Sequence, residues 1–210
     1  MPTVLCYGDS NTHGTAPMRD LDDVARFGPG ERWAGIMRTS LGADWWVVEE
    51  GLPGRTTVLD DPIEGIYKNG LTALPAVLES HRPIDIVTIA LGTNDLKMRF
   101  SMPPTDIAAG AGILVETVRN VLRPFGEQPK ILLMAPPPIL EVGCLADMFA
   151  GGAAKSQSFA RHYAAMAKKL GVGFLDFGAL IKSSDVDGIH FDPDAHQKLG
   201  SAVAKAVRAL

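Results

Sequence analysis

Five short apolar runs recur along the chain, at positions 4–7, 45–48, 86–91, 131–135 and 172–177, and stretches of helical spacing separate them. This alternation constrains the fold more than any other feature. Runs of four to six apolar residues bounded by turn residues read as strands buried on both faces. The intervening patterns predict helices near 31–41, 70–81, 105–123, 155–170 and 194–209. The last spaces Leu199, Val203, Val207 and Leu210 along one face, with Asp192 as its expected N-cap and Pro193 in its first turn. Strands joined by helices of ten or more residues form parallel sheets with both faces covered. The expected fold is therefore α/β, a flavodoxin-like three-layer α/β/α sandwich on a five-stranded parallel sheet, with strand order 2-1-3-4-5.

A length of 210 residues with 46% hydrophobic content suits one domain over 1–210 with an ordinary core. No repeat or low-complexity linker divides it. Glu141 to Gly152 lacks clear periodicity and ends in a glycine pair, so a mobile loop is expected there. The 20 basic and 24 acidic residues are scattered, giving a net charge of -4 without a basic cluster. That balance argues against nucleic acid and anionic membranes as partners. No basic segment and cleavage site precede the first strand, and no apolar run reaches membrane-spanning length, so a cytoplasmic location is expected. Cys6 and Cys144 are too few for a disulfide framework or a structural zinc site, and both are expected to be reduced and structural.

In an open parallel sheet, ligands bind beyond the carboxyl ends of the strands. Polar or glycine clusters follow three of the predicted strands here: Gly8-Asp9-Ser10-Asn11, then Gly51 to Thr57, then Leu91-Gly92-Thr93-Asn94-Asp95. A further one, Asp187-Gly188-Ile189-His190-Phe191, lies just before the final helix. Their contents fit acyl transfer. A serine hydroxyl needs a base to take its proton, and the base needs a third group to fix its tautomer. Ser10 supplies the hydroxyl, and Asp187 and His190 fit the other roles, because Gly188 permits a tight turn between them. Three donors are available to a developing oxyanion: the Ser10 N–H, the Gly54 N–H and the Asn94 side-chain amide.

Gly8-Asp9-Ser10, Gly54, Gly92-Thr93-Asn94-Asp95 and Asp187-Gly188-Ile189-His190 resemble, in order, the four blocks of the SGNH or GDSL hydrolase superfamily. The resemblance spans nearly the whole chain. More narrowly, Glu49-Glu50-Gly51-Leu52, Arg55-Thr56-Thr57, Asp60-Asp61-Pro62 and Asp187 to Phe191 are similar to its arylesterase and acyltransferase branch. That resemblance implies an SGNH hydrolase fold and a serine carboxylic ester hydrolase acting on small esters, able to pass the acyl group to alcohols or peroxide. It implies Ser10 as nucleophile, His190 as base, Asp187 as its orienter, and Ser10, Gly54 and Asn94 as the oxyanion hole. It needs no metal and no cofactor, and it implies homo-oligomers. Asn11 stands where the signature has leucine, and Pro53 precedes the block-two glycine, so both are expected to touch substrate. Ile189 is expected at the acyl pocket. Met148 and Phe149 belong either to a lid over that pocket or to an oligomer contact.

Competing roles are weighed by residue type and position. Asp9 is expected to cap the following turn, and Asp95 to hold its own loop. His13 competes as base but lacks a well-spaced carboxylate, His196 is expected to be half solvated on the last helix, and His81 and His162 to lie on helix surfaces. Trp45 and Trp46 point to opposite faces of a strand. Two other functions remain open: a carbohydrate acetylesterase or thioesterase using the same triad, and a non-catalytic flavodoxin-like binding module.

Overall fold

The computed structural model describes residues 1–210. Five strands, β1 (Thr3–Gly8), β2 (Trp46–Gly51), β3 (Ile86–Ala90), β4 (Lys130–Ala135) and β5 (Gly173–Asp176), form one sheet. All neighbouring pairs are parallel and the order is β2-β1-β3-β4-β5, as the alternation predicts. Seven α-helices connect and cover the strands: α1 (Ser10–His13), α2 (Trp33–Leu41), α3 (Gly70–Ser80), α4 (Pro104–Leu122), α5 (Gly152–Ser156), α6 (Phe159–Leu170) and α7 (Pro193–Ala209).

The period of two along each strand divides the core into two layers. Val4, Cys6, Ile86, Leu132 and Met134 face α2 and α7, where they meet Trp33, Met37, Leu199, Val203 and Val207. Leu5, Tyr7, Val87, Ile89, Ile131 and Leu133 face the other way, toward Leu74 and Leu78 of α3, Leu114 and Val118 of α4, and Phe159 and Tyr163 of α6. Burying both faces makes the central strands β1, β3 and β4 largely apolar, whereas the edge strand β2 carries half-buried Glu49 and Glu50 near its end. In register, Gly8 lies beside Gly51 of β2 and Ala90 of β3, so the segments after β1, β2 and β3 leave the sheet at one edge.

Several local expectations are corrected. The helix predicted over 155–170 is two helices, because the Ser156 hydroxyl is turned inward to accept from the Ile139 N–H at 3.0 Å and the chain makes a tight turn at Ser158. The 141–152 segment is fastened rather than loose. It contains a 3-10 turn over Gly143–Leu145, Leu145 and Phe149 are buried in the core, and the Glu141 carboxylate accepts from the Ala153 N–H. Asp192 occupies the N-cap position of α7, but its carboxylate accepts from the Ser184 hydroxyl at 2.9 Å instead of from a helix N–H. His196 is fully buried. Both cysteines are free, with Cys6 buried in β1. Trp46 is exposed while Trp45 packs on the core, as strand alternation requires. No helix is long and apolar enough to cross a membrane.

Candidate active site

The segment that carries Ser10, the candidate nucleophile, is set by a cap. β1 ends at Gly8, and the Asp9 carboxylate accepts from the Asn11 N–H at 3.0 Å, which starts the single turn of α1 at Ser10. As the first residue of that turn, Ser10 has an N–H with no backbone acceptor. Its hydroxyl has no intramolecular partner either. Burial pushes the Asp9 carboxyl up to about 6, against the opposing pull of the Asn11 N–H and the His190 and Arg55 charges.

The 187–190 segment is a turn closed on one carboxylate. Gly188 adopts φ 77°, where a side chain would be strained, and its Cβ would meet the Leu140 carbonyl at 2.1 Å. Asp187 Oδ1 accepts from the Ile189 and His190 N–H groups, both at 2.9 Å. Its Oδ2 accepts from His190 Nδ1 at 2.6 Å and from the Met18 N–H at 2.7 Å. Burial raises this carboxyl, but hydrogen bonding and charge from His190, with the Met18 and His190 N–H groups, outweigh it and hold the pKa below the usual range. With Nδ1 donating to Asp187, His190 Nε2 is left as an acceptor with no intramolecular partner. Asn11 Nδ2 donates to the Ile189 carbonyl at 3.2 Å, which ties the residue after Ser10 to the residue before His190.

The remaining donors converge from the ends of β2 and β3. Gly54 takes φ 79°, and its N–H has no partner within the chain. Asn94 Nδ2 donates one proton to the Arg55 carbonyl at 3.1 Å, which fixes the amide and leaves its second N–H free. Asp95 is buried and accepts from the Thr57 N–H and hydroxyl, so it holds the Gly51–Thr57 loop against the Asn94 segment. Burial pushes Asp95 up to about 6, with the Thr57 hydrogen bonds opposing and the Asp9 charge reinforcing. Asp9 caps its turn as expected; Asp95 is structural as well, but it holds the Gly51–Thr57 loop rather than its own.

Placement of the expected pocket residues differs. Phe149 and Ile189 are buried in the core, and Ile189 reaches the site through its backbone carbonyl. Met148 packs on the core from its edge, and its carbonyl accepts from the Met98 N–H. Pro53 lies beside Gly54, its carbonyl held by Lys68 Nζ at 2.7 Å. His13 lies against the backbone of Gly51, and burial with the Arg26 and Arg32 charges lowers its pKa. Sequence reasoning missed the Met18 N–H on Asp187, which comes from a loop without any pattern, and the side chain of Arg55. No three His, Cys, Asp or Glu side chains are grouped to hold a metal ion. The larger hollows lie elsewhere, such as one of about 430 Å³ lined by Leu180, Lys182, Asp194 and Lys198, so convergent strand ends define the site rather than cavity size.

Residues 6–198, which contain all four of these segments, match the GDSL-like lipase/acylhydrolase family. The chain belongs to that family. This GDSL-like acylhydrolase is a carboxylic ester hydrolase. It is 41% identical to a solved aryl esterase of M. smegmatis, with 100% of each chain covered and a TM-score of 0.95. It is 40% identical to a carbohydrate acetylesterase of Sinorhizobium meliloti, covering 100% of this chain and 99% of that one, also with a TM-score of 0.95. A second carbohydrate acetylesterase family member from the same organism is 35% identical, with 100% and 98% covered and a TM-score of 0.88. No curated protein matches the chain.

Proposed function

We propose that the enzyme hydrolyses small, short-chain acyl esters through an acyl-Ser10 intermediate. The observation that carries this reading is the 2.6 Å bond from His190 Nδ1 to buried Asp187, which leaves Nε2 as the acceptor a serine proton needs. Ser10 Oγ attacks the ester carbonyl carbon while its proton passes to His190 Nε2. The oxyanion so formed takes hydrogen bonds from the Ser10 N–H, the Gly54 N–H and the Asn94 amide. Collapse breaks the ester C–O bond, and His190 returns its proton to the departing alcohol oxygen. Water, deprotonated by His190, then releases the acid and restores Ser10. Asp187 keeps the imidazole in the required tautomer and stabilises the imidazolium.

Ser10→Ala and His190→Ala should each lower kcat by on the order of 10⁴ to 10⁶, with the double variant little worse than either. An organophosphate should label Ser10 in the parent and nothing in Ser10→Ala. A loss below about tenfold in either single variant rejects that residue's role, and absence of labelling in the parent favours a binding module.

A carbohydrate acetylesterase is the second reading. It is favoured by polar groups beside the oxyanion loop: a Cβ on Gly54 would meet Glu64 Oε2 at 2.4 Å, and Lys68 Nζ holds the Pro53 carbonyl. Comparing kcat/KM on p-nitrophenyl acetate, acyl thioesters and acetylated sugars decides among these substrates. The acyl-enzyme is also open to alcohols and hydrogen peroxide, so an added primary alcohol should divert part of the turnover to a new ester. If chromatography finds free acid alone across an alcohol titration, the transferase part fails. The same reading has the enzyme acting in the cytoplasm as a homo-oligomer, without metal or cofactor, which sedimentation and turnover in chelator test.

A further inference from the structure

The three oxyanion donors stand on three different strand-end segments, and one buried residue touches the supports of all three, by its side chain at the ends of β1 and β2 and by its backbone at the Gly54 turn and Asn94. Arg55 is 4% exposed. Its Nη1 donates to the carbonyl of Gly8 at 2.9 Å and to the carbonyl of Glu50, bridging the last residue of β1 and the penultimate residue of β2. Its guanidinium carbon lies 4.2 Å from the centre of the Tyr7 ring, and the Tyr7 hydroxyl is itself anchored on the Gly70 carbonyl at 2.7 Å. Its own N–H donates to the Leu52 carbonyl at 3.1 Å, which closes the turn containing Gly54. Its own carbonyl accepts from Asn94 Nδ2 at 3.1 Å. Gly8 is two residues from Ser10, Gly54 adjoins Arg55, and Asn94 rests on it.

Burying a guanidinium is costly, and this one forms no salt bridge: the Asp9 and Glu50 charges act on it without direct contact, and its Nε is buried without a hydrogen-bond partner. Its donors go instead to backbone carbonyls at the sheet edge where the chemistry occurs. A planar fork stacked on an aromatic ring can hold two carbonyls in a fixed geometry; a lysine ammonium, a point charge on a flexible stem, cannot do so equally well. We infer that Arg55 is the positioning residue of the oxyanion hole, aligning the Ser10, Gly54 and Asn94 donors with one another. It does not touch the reacting atoms. Its effect is exerted through the backbone it clamps, where a displacement of about 1 Å costs on the order of 10² in rate.

The inference rests on the oxyanion assignment above, and the test separates the two. Arg55→Lys and Arg55→Met are measured alone and in an Asn94→Ala background, with kcat normalised to the folded fraction from near-UV circular dichroism. Ser10→Ala is carried as a control. The expected result is a kcat loss of roughly tenfold in Arg55→Lys and about 10² in Arg55→Met, with KM within about threefold, since the donors act on charge that develops in the transition state. In the Asn94→Ala background the same changes should cost much less, because one of the aligned donors is already gone. Normalised kcat within twofold of the parent in both variants overturns the inference, as does an equal loss with and without Asn94. If both variants are unfolded at the assay temperature, Arg55 is a stability residue and the inference is likewise overturned. Activity that persists in Ser10→Ala instead removes the mechanism on which it rests.

Discussion

His196 lies one helical turn before Leu199 and is buried with it. The periodicity that turns Leu199 inward turns position 196 inward too, and the expectation of a half-solvated histidine follows residue type where position is the better guide. Its Nδ1 accepts from the Trp33 N–H, an unsatisfied donor at the start of α2, at 3.2 Å, and the rings of Phe27 and Phe191 lie 5.1 and 5.6 Å away. Burial, reinforced by the His190 charge, lowers its pKa from 6.5 to about 4. A histidine with a depressed folded value binds its proton first in the unfolded chain, so it removes stability as pH falls from 6.5 to 4. The full effect is about 3 kcal/mol. Asp9 and Asp95, both raised to about 6, act with the opposite sign: the folded chain protonates first, and stability rises as pH falls through 6 toward 4. A direct pH profile therefore mixes opposed effects. Comparison with His196→Asn, whose side-chain oxygen can replace Nδ1, cancels the aspartates. The variant should be less stable at pH 7.5 through lost packing, and the gap in urea unfolding free energy should narrow by about 3 kcal/mol near pH 4. A gap independent of pH rejects the role given to His196.

The strands and the long helices were legible because each buries a continuous apolar face, and periodicity records that burial directly. The loops were not, because what fastens them is polar and distant in sequence. Lys97, 2% exposed, lies immediately after the Asn94 turn and places its Nζ 3.4 Å from Asp61 Oδ2 and 2.5 Å from Glu64 Oε1. Arg99 joins the same two carboxylates at 3.6 and 2.9 Å. Burial raises the Asp61 carboxyl, but the Glu64 and Ile63 N–H groups, with Lys97 and Arg99, outweigh it and keep the pKa low. This network holds the 61–68 loop beside Gly54, and no spacing rule pairs residues more than thirty positions apart. The four segments of the candidate site were readable for the opposite reason: each is a compact cluster at a strand end or turn, and glycine at 54 and 188 marks its backbone geometry. Lys97→Met leaves buried Asp61 with Arg99 and two backbone N–H groups but one cation fewer, and should cost about 2–3 kcal/mol in urea unfolding. Adding Asp61→Asn should restore part of the loss, since the under-compensated charge is then removed. A loss below about 1 kcal/mol, or no recovery in the double variant, shows that the pair is not carrying the loop.

Each strand of the central sheet serves two cores at once, and this decides how the molecule comes apart. β1 gives Val4 and Cys6 to the layer of α2 and α7, and Leu5 and Tyr7 to the layer of α3, α4 and α6. Removing either helical layer exposes one face of every strand to water, at roughly 25 cal/mol for each Å² of apolar surface. Neither layer can persist on its own, because each would keep only half of the sheet's burial. The candidate site depends on both layers as well: His190 is carried on the segment leading into α7, while Asp95, next to Asn94 on the approach to α4, is hydrogen-bonded to Thr57. We therefore expect 1–210 to unfold as a single cooperative domain. All three tryptophans lie in or beside the layer of α2 and the β2 edge, so their fluorescence reports that side. Far-UV circular dichroism weighs the helices of both sides, including the 19-residue α4 and 12-residue α6 of the opposite layer. In a urea titration the two signals should trace one transition with coincident midpoints, and loss of esterase activity should follow the same curve. A tryptophan transition that precedes the circular dichroism transition, leaving α3, α4 and α6 folded, means that the layers are separate units and the shared sheet does not couple them.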